Sequence, residues 1–464
     1  MFGFSKEVLL KRELLLFLDQ QEECVTSEML AIKMKTVTSQ TIRKVLKDLS
    51  ALIASLYNQE QLNLHISTKY GVKLTRKGAN FTPVFEKLYS EDLVYGIFRE
   101  LMLSRFFSTE DFCQQQQISV SKARRVIRQI NEFLIPYECV LKVGRKVSIT
   151  GKESQIRLLF FMFFYYVHRK ISQVKWIEKE TYLMLSRSVC QAFYLIPAKQ
   201  NIEVLALWLF INLHSQSLGK ELEITFDKQA YMLELPQSDC SQSDWTYLLF
   251  VMYSLDFINF EPQLTFEILH QKDIEEVINE WITLFEQHVR VLNKNEKKQL
   301  YIKRYKRLLL EKMIPLKDIY TIFKLSSQVR SETNNPYAAS VFNQLWRLFI
   351  QKFPHLSTEL NRRYFLDTCF YFGSSESLVA PVYCRWHSSL SVERLQQMEK
   401  IIQHDLMKLA KVTFVESHDS AVVISTESPQ AGILIDPMLS KRDLTFLREE
   451  IKKRIQITHI VSSS

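Results

Sequence analysis

Six cations stand at matching positions in two segments of this chain. Arg43, Lys44 and Lys47 belong to the first, and Arg124, Arg125 and Arg128 lie 81 residues further on. Closely spaced Lys and Arg suit a polyanion, because neutralising its phosphates releases counterions. Arg and Gln also match guanine and adenine edges with paired hydrogen bonds. Ser39, Gln40, Thr41 and Arg43 open the first segment, and Ser121, Lys122, Arg124 and Arg125 open the second. If each segment is a helix whose start enters a major groove, these residues read or position on bases. Lys47 and Arg128, one turn on, then point to phosphates. Lys69, Lys73, Arg145 and Lys146 are further phosphate candidates from nearby hairpins. Most Lys/Arg clusters are merely solvated faces. Duplication of the cluster together with its core and hairpin favours DNA.

The positioning elements repeat as well. Ile42, Val45, Leu46, Leu49, Leu52 and Ile53 map with the same offset onto Ala123, Val126, Ile127, Ile130, Phe133 and Leu134. This spacing of three and four marks one buried helical stripe. The first unit reads as a helix over 6–19, a helix start at Thr26-Ser27-Glu28, and a helix over 38–55. A hairpin follows, Leu64–Ser67 with Val72–Thr75, turning at Tyr70-Gly71. The second reads as a helix over 90–104, a capping box at Ser108–Asp111, a helix capped by Ser119 and ending near Pro136, and a wing. That wing is Val140–Val143 with Val147–Thr150, turning at Gly144-Arg145-Lys146. Three helices and a hairpin make a winged helix-turn-helix, and a repeated one suggests a duplicated reading head.

The 464 residues exceed one core. A hydrophobic content of 47% excludes a disordered chain, and 9 Gly with 11 Pro argue against a turn-rich β protein. Residues 1–152 hold 23 Lys and Arg against 16 Asp and Glu, so most of the net charge of +9 sits there. Residues 153–372 read as helical, with loop signals at Pro197, Leu235–Ser238, Pro262 and Asn334-Asn335-Pro336. From about 375 the order is β-α-β-β-β-α, with Cys384 closing the first strand. The expected fold is mainly α and multidomain: two winged helix-turn-helix domains (1–82 and 83–152), two helical regulatory bundles (153–268 and 269–374) and a small C-terminal α/β domain (375–464).

Seven scattered Cys fit a reducing cytoplasm. Lys6, Glu7, Lys11, Arg12 and Glu13 interrupt the first apolar stretch, which argues against a signal peptide. Leu158–Val167 is too short to span a bilayer and reads as a buried helix. Walker, dinucleotide, HExxH and nucleophile-elbow patterns are absent, so no enzyme and no cofactor are expected. Cys384 and His387 have metal-like spacing, but without a second pair zinc is not expected.

This layout resembles the Mga family of Gram-positive virulence regulators, most specifically over 107–135 and in the domain order. The helical bundles look like phosphotransferase-system regulation domains, and the C-terminal domain looks like an enzyme IIB component. The resemblance implies a cytoplasmic transcription activator that binds promoter DNA and forms a homodimer involving its C-terminal domain. It further implies histidine phosphorylation from the phosphotransferase-system phosphocarrier protein, with RNA polymerase an indirect partner and no membrane partner. Under it His214, His270 and His288 become phosphorylation candidates among histidines that include His168 and His355. A IIB cysteine needs an amide loop rich in Gly. Cys384-Arg385-Trp386-His387-Ser388-Ser389 has none, so a degenerate sensor or dimerisation module is expected. The alternative is a phosphotransferase-linked regulatory or scaffold protein, antiterminator-like, without promoter-specific DNA binding.

Overall fold

The computed structural model describes residues 2–35, 37–67, 69–192, 198–223, 241–255, 257, 272–314, 336–373, 378–407, 409–418 and 421–461. The protein is mainly α-helical, and its contacts gather into two compact units, 1–268 with 310–323 and 269–309 with 324–464. His270 and the expected bundle boundary near 268 lie outside the described residues.

The first unit opens with α1 (Lys6–Leu18), α2 (Ser27–Met34) and α3 (Ser39–Leu56), then the hairpin β1 (Leu62–Ser67) and β2 (Gly71–Arg76). The ladder runs antiparallel from Leu62 opposite Arg76 to Ser67 opposite Gly71. Gly71 has φ +93°, and a Cβ there would lie 2.6 Å from the Val25 carbonyl oxygen. Only glycine satisfies both the turn and the Val25–Val72 bridge. Arg76 grips Asp19 with two bonds of 2.7 and 2.9 Å, fixing the wing to the end of α1.

A further helix, α4 (Thr82–Ser90), joins this head to the second, and the sequence had given no sign of it. The second head comprises α5 (Leu93–Ser104), β3 (Phe106–Ser108), α6 (Thr109–Gln115), α7 (Val120–Leu134), β4 (Val140–Val143) and β5 (Lys146–Thr150). Its wing has three strands in the order β3-β5-β4. Ser108 accepts from the Asp111 amide at 3.3 Å, as the cap signal predicts. Strand β3 ends on that same Ser108, which pairs with Lys146.

Next come α8 (Glu153–His168), α9 (Lys179–Ala192), α10 (Lys199–Ser217) and α11 (Gln242–Ser254). Helix α8 is buried on nearly every face, as its Phe/Tyr-rich run predicts. Phe163 stacks on Phe98 of α5 at 4.1 Å, and Phe2 inserts beside Phe98, Phe133 and Phe163. Between the two N-terminal rings Gly3, at φ +80°, passes so close to α7 that a Cβ would lie 2.8 Å from the Ile130 Cα. The chain's first residues thus brace the second head. No described helix is long and apolar enough to cross a membrane.

The second unit holds α12 (Lys272–His288), α13 (Lys294–Met313) up to Leu309, α14 (Pro336–Lys352) and α15 (Glu359–Phe372). Trp281 is fully buried among Phe342, Phe349 and Phe365. The chain then forms β6 (Ala380–His387), α16 (Val392–Leu406), β7 (Ala410–Phe414), β8 (Val422–Ser425), β9 (Ile433–Leu434) and α17 (Lys441–Val461). The four strands are parallel in the order β7-β6-β8-β9. Met398, Ile402 and Leu406 of α16 and Leu447, Ile451 and Ile455 of α17 pack on the sheet at four-residue spacing.

Cys384 does not close its strand. It pairs with Phe414 on one side and Val422 on the other, and β6 continues to His387. The sequence reading ended the strand early because Arg385 and His387 break the apolar run. Both are exposed positions of a strand whose alternate residues face the core.

Candidate nucleic-acid interface

The two cationic helices are built in the same phase. Thr38 caps α3 by accepting from the Thr41 amide at 3.3 Å, and Ser119 caps α7 by accepting from the Lys122 amide at 3.2 Å. Each cap is worth about 1 kcal/mol and fixes where the helix starts. Ile42, Leu46, Leu49 and Ile53 are buried, as are their counterparts Ala123, Ile127, Ile130 and Leu134. Val45 is buried too, whereas Val126 is half-buried. The turns before both helices contain one left-handed residue without glycine, Lys35 at φ 57° and Gln117 at φ 51°.

With the stripes buried, the cations are outside. Arg43, Lys44, Lys47, Arg124, Arg125 and Arg128 are all exposed. So are Gln40, Thr41, Ser121 and Lys122, while Ser39 is half-buried. In the wings Lys69, Arg145 and Lys146 are exposed and Lys73 is half-buried. The Lys69 ammonium lies over the Tyr70 ring at 5.2 Å and that of Lys146 over Phe106 at 4.5 Å, so each charge is held against an aromatic face on an exposed residue.

The two heads differ electrically. Arg43 donates to the Glu28 carboxylate on α2 at 2.6 Å. A backbone amide and then this guanidinium hold the Glu28 carboxyl below its ordinary range. Lys44 lies near Glu7, whose carboxyl is lowered first by Lys11. Among the described residues, by contrast, no carboxylate pairs with Lys122, Arg124, Arg125 or Arg128. The second head therefore offers the stronger unneutralised positive field.

Helical geometry splits the α7 cations into two stripes. Ser121, Arg124 and Arg128 share one, at i, i+3 and i+7. Lys122, Arg125, Val126 and Gln129 share the other, and all four line a cleft against α1.

A buried polar network that the sequence did not disclose joins this head to the helices behind it. Arg105 ends α5 at φ 66° and is 5% exposed. Its Nη2 donates to Glu153 at 2.5 Å and to Ser215 Oγ at 2.7 Å. Glu153 also accepts from Arg157 Nε at 3.0 Å. Arg157, fully buried, reaches Asn212, Asp244 and the Lys220 carbonyl. Burial pushes the Arg105 guanidinium below its ordinary pKa, although Glu153 opposes this. Apart from the i, i+4 pair of Glu153 and Arg157, the partners lie 48 to 110 positions apart in sequence, beyond the reach of any local spacing rule.

Among the histidines, His214 on α10 faces the Leu103 carbonyl with Nε2 at 2.9 Å. A carbonyl only accepts, so Nε2 donates, which in a neutral imidazole leaves Nδ1 as the acceptor nitrogen. His168 has both ring nitrogens engaged, by Glu86 at 2.9 Å and Tyr95 at 2.8 Å. His288 is half-buried at the end of α12, and His355 is exposed. Cys384 is fully buried, and desolvation pushes its thiol up to about 12. The loop after β6 is already filled, because Glu427 accepts from the Ser389 amide. Among the described residues, no group of three or more His, Cys, Asp or Glu could hold a metal ion.

Residues 77–164 match the family model of the Mga helix-turn-helix domain. The matched span runs from the end of the first wing through α4, the whole second head and most of α8. No curated protein matches the chain.

Proposed function

We propose that the chain is a transcription regulator of the Mga family, whose helix-turn-helix domain model matches residues 77–164, and that it grips promoter duplex with both winged helices. The observation that carries this reading is the shared phase of α3 and α7: same cap, same buried stripe, same outward cations. Ser121, Arg124 and Arg128 of the outer stripe approach the major groove, with Lys122 and Arg125 flanking them. Ser39, Gln40, Thr41, Arg43, Lys44 and Lys47 do the same from the first head. Lys69, Lys73, Arg145 and Lys146 contact phosphates beside the groove.

The regulatory half of the proposal places control in the domains after residue 152, divided near 268 and 374, in a homodimer with no catalytic role. His214 is the favoured acceptor for phosphoryl groups from the phosphotransferase-system phosphocarrier protein, ahead of His270 and His288. It stands at the joint: His214 bonds Leu103, and the next residue, Ser215, bonds Arg105. Added negative charge on Nδ1 there would alter how α5 is held.

The test selects duplexes from a random pool with the full chain and then measures affinity for them across a salt series. A reader of phosphates loses affinity steeply, about 0.9 log unit per log unit of salt for each phosphate contact. A flat profile, or failure to enrich any duplex, would establish the scaffold reading instead.

A further inference from the structure

A cleft of about 680 Å³ opens between α1, the α4–α5 junction and α7. Lys6 and Lys11 enter it from the first head and Lys122 and Arg125 from the second, over apolar side chains that include Val8, Leu88 and Val126. Every carboxylate in its wall is already committed. Glu7 binds Lys11 at 2.6 Å, and Glu91 binds Lys87 at 2.5 Å. Asp92 accepts from the amides of Val94 at 2.9 Å and Ser5 at 3.2 Å. Among the described residues no carboxylate pairs with Lys6, Lys122 or Arg125. Three cations from two heads thus line one concavity without an ion-pair partner among the described residues, and Asp92, held by backbone amides, is the one wall carboxylate not paired with a cation.

We propose that this cleft is a receptor site for a small phosphate-bearing multianion, and that its occupation weakens DNA binding. The volume falls within the roughly 300–1,000 Å³ typical of small-molecule sites. Arg125 supplies a planar fork for phosphate oxygens, and Lys6 and Lys122 supply point charges. A small molecule suits the cleft better than duplex DNA. Its walls are helices α1 and α7 themselves, whereas a major groove receives a projecting helix, and the outer stripe of Arg124 and Arg128 projects. An anion held by Lys122 and Arg125 neutralises half of the four cations that α7 presents, so its binding and DNA binding oppose one another reciprocally. This coupling rests on the DNA-binding reading. The site itself does not.

Inorganic pyrophosphate is the probe, titrated calorimetrically into the full chain without DNA. One site per chain with a dissociation constant of about 1 mM or tighter is expected. Lys6→Gln, on an exposed position outside the DNA-reading set, should weaken it roughly ten-fold. With DNA present, pyrophosphate should lower affinity roughly five-fold or more beyond chloride of equal ionic strength, and Lys6→Gln should remove that excess. Arg124→Ala should weaken DNA binding and leave pyrophosphate binding intact. Absence of calorimetric binding, or binding indifferent to Lys6→Gln, overturns the site. Binding that leaves DNA affinity no lower than chloride does overturns the coupling. If the wild type holds pyrophosphate but no DNA, the regulator reading and the coupling fall together while the site stands.

Discussion

Arg124 and Arg128 should fail in different ways when truncated. Both are exposed on the outer stripe of α7 with no carboxylate partner among the described residues, so their removal opens no cavity and strands no buried charge. Alanine is at least as good a helix former as arginine, and the Ser119 cap remains. Arg124 lies in the first two turns, where base edges are reached. Its loss should cost about 1–3 kcal/mol, roughly 5- to 150-fold in affinity, and relax preference at one base pair. Arg128, one turn on, should act as a phosphate contact. Its loss should weaken all duplexes alike and reduce the salt slope by about 0.9. Fluorescence anisotropy on a selected duplex and its single-base variants, across a chloride series, reads both signatures. Thermal unfolding confirms that each variant is folded. If Arg124→Ala binds with unchanged affinity and base preference, or Arg128→Ala retains the full slope, the outer stripe is not the reading surface.

Glu28→Gln should tighten DNA binding in the same assay, because it frees Arg43 from its partner on α2; no change would mean that Arg43 takes no part. Glu153→Gln leaves Arg105 and Arg157 buried with weakened compensation, and a loss of up to about 3–5 kcal/mol is expected in urea unfolding. Iodoacetamide should label exposed Cys24 in the native protein and reach Cys384 only after unfolding, since that thiol is buried and stays protonated at neutral pH; mass mapping distinguishes the two. Glu296 is held down to about 2 by Arg290 and the Asn293 amide, so it stabilises the folded state fully above the ordinary carboxylate range. That contribution disappears as pH falls through about 2, so the difference in thermal midpoint between wild type and Glu296→Gln should be complete at neutral pH and vanish in strong acid.

The duplicated heads were legible because their information is local. A helix repeats its faces every three or four residues, so Ile42, Leu46 and Leu49 declared a buried side, and Arg43 and Lys47 an outer one, without any knowledge of the fold. Caps at Thr38 and Ser119 likewise act over three residues. The sequence reading assigned no element between the first hairpin and residue 90, where α4 lies, and β3 was hidden by its length of three residues. The Mga resemblance supplied an expected domain order that periodicity could not, and the match over 77–164 bears on the second head.

By itself, then, the sequence determined the mainly helical character, the phase of both cationic helices and which cations lie outside. Tertiary structure alone decided that Arg43 is neutralised by Glu28, that Arg105, Glu153 and Arg157 form a buried joint, and that Lys6 and Arg125 line one cleft. The reason is range. Hydrogen bonds and stripes within one helix are fixed by neighbours a turn apart, whereas a pairing between distant segments exists only once the cores beneath them have packed.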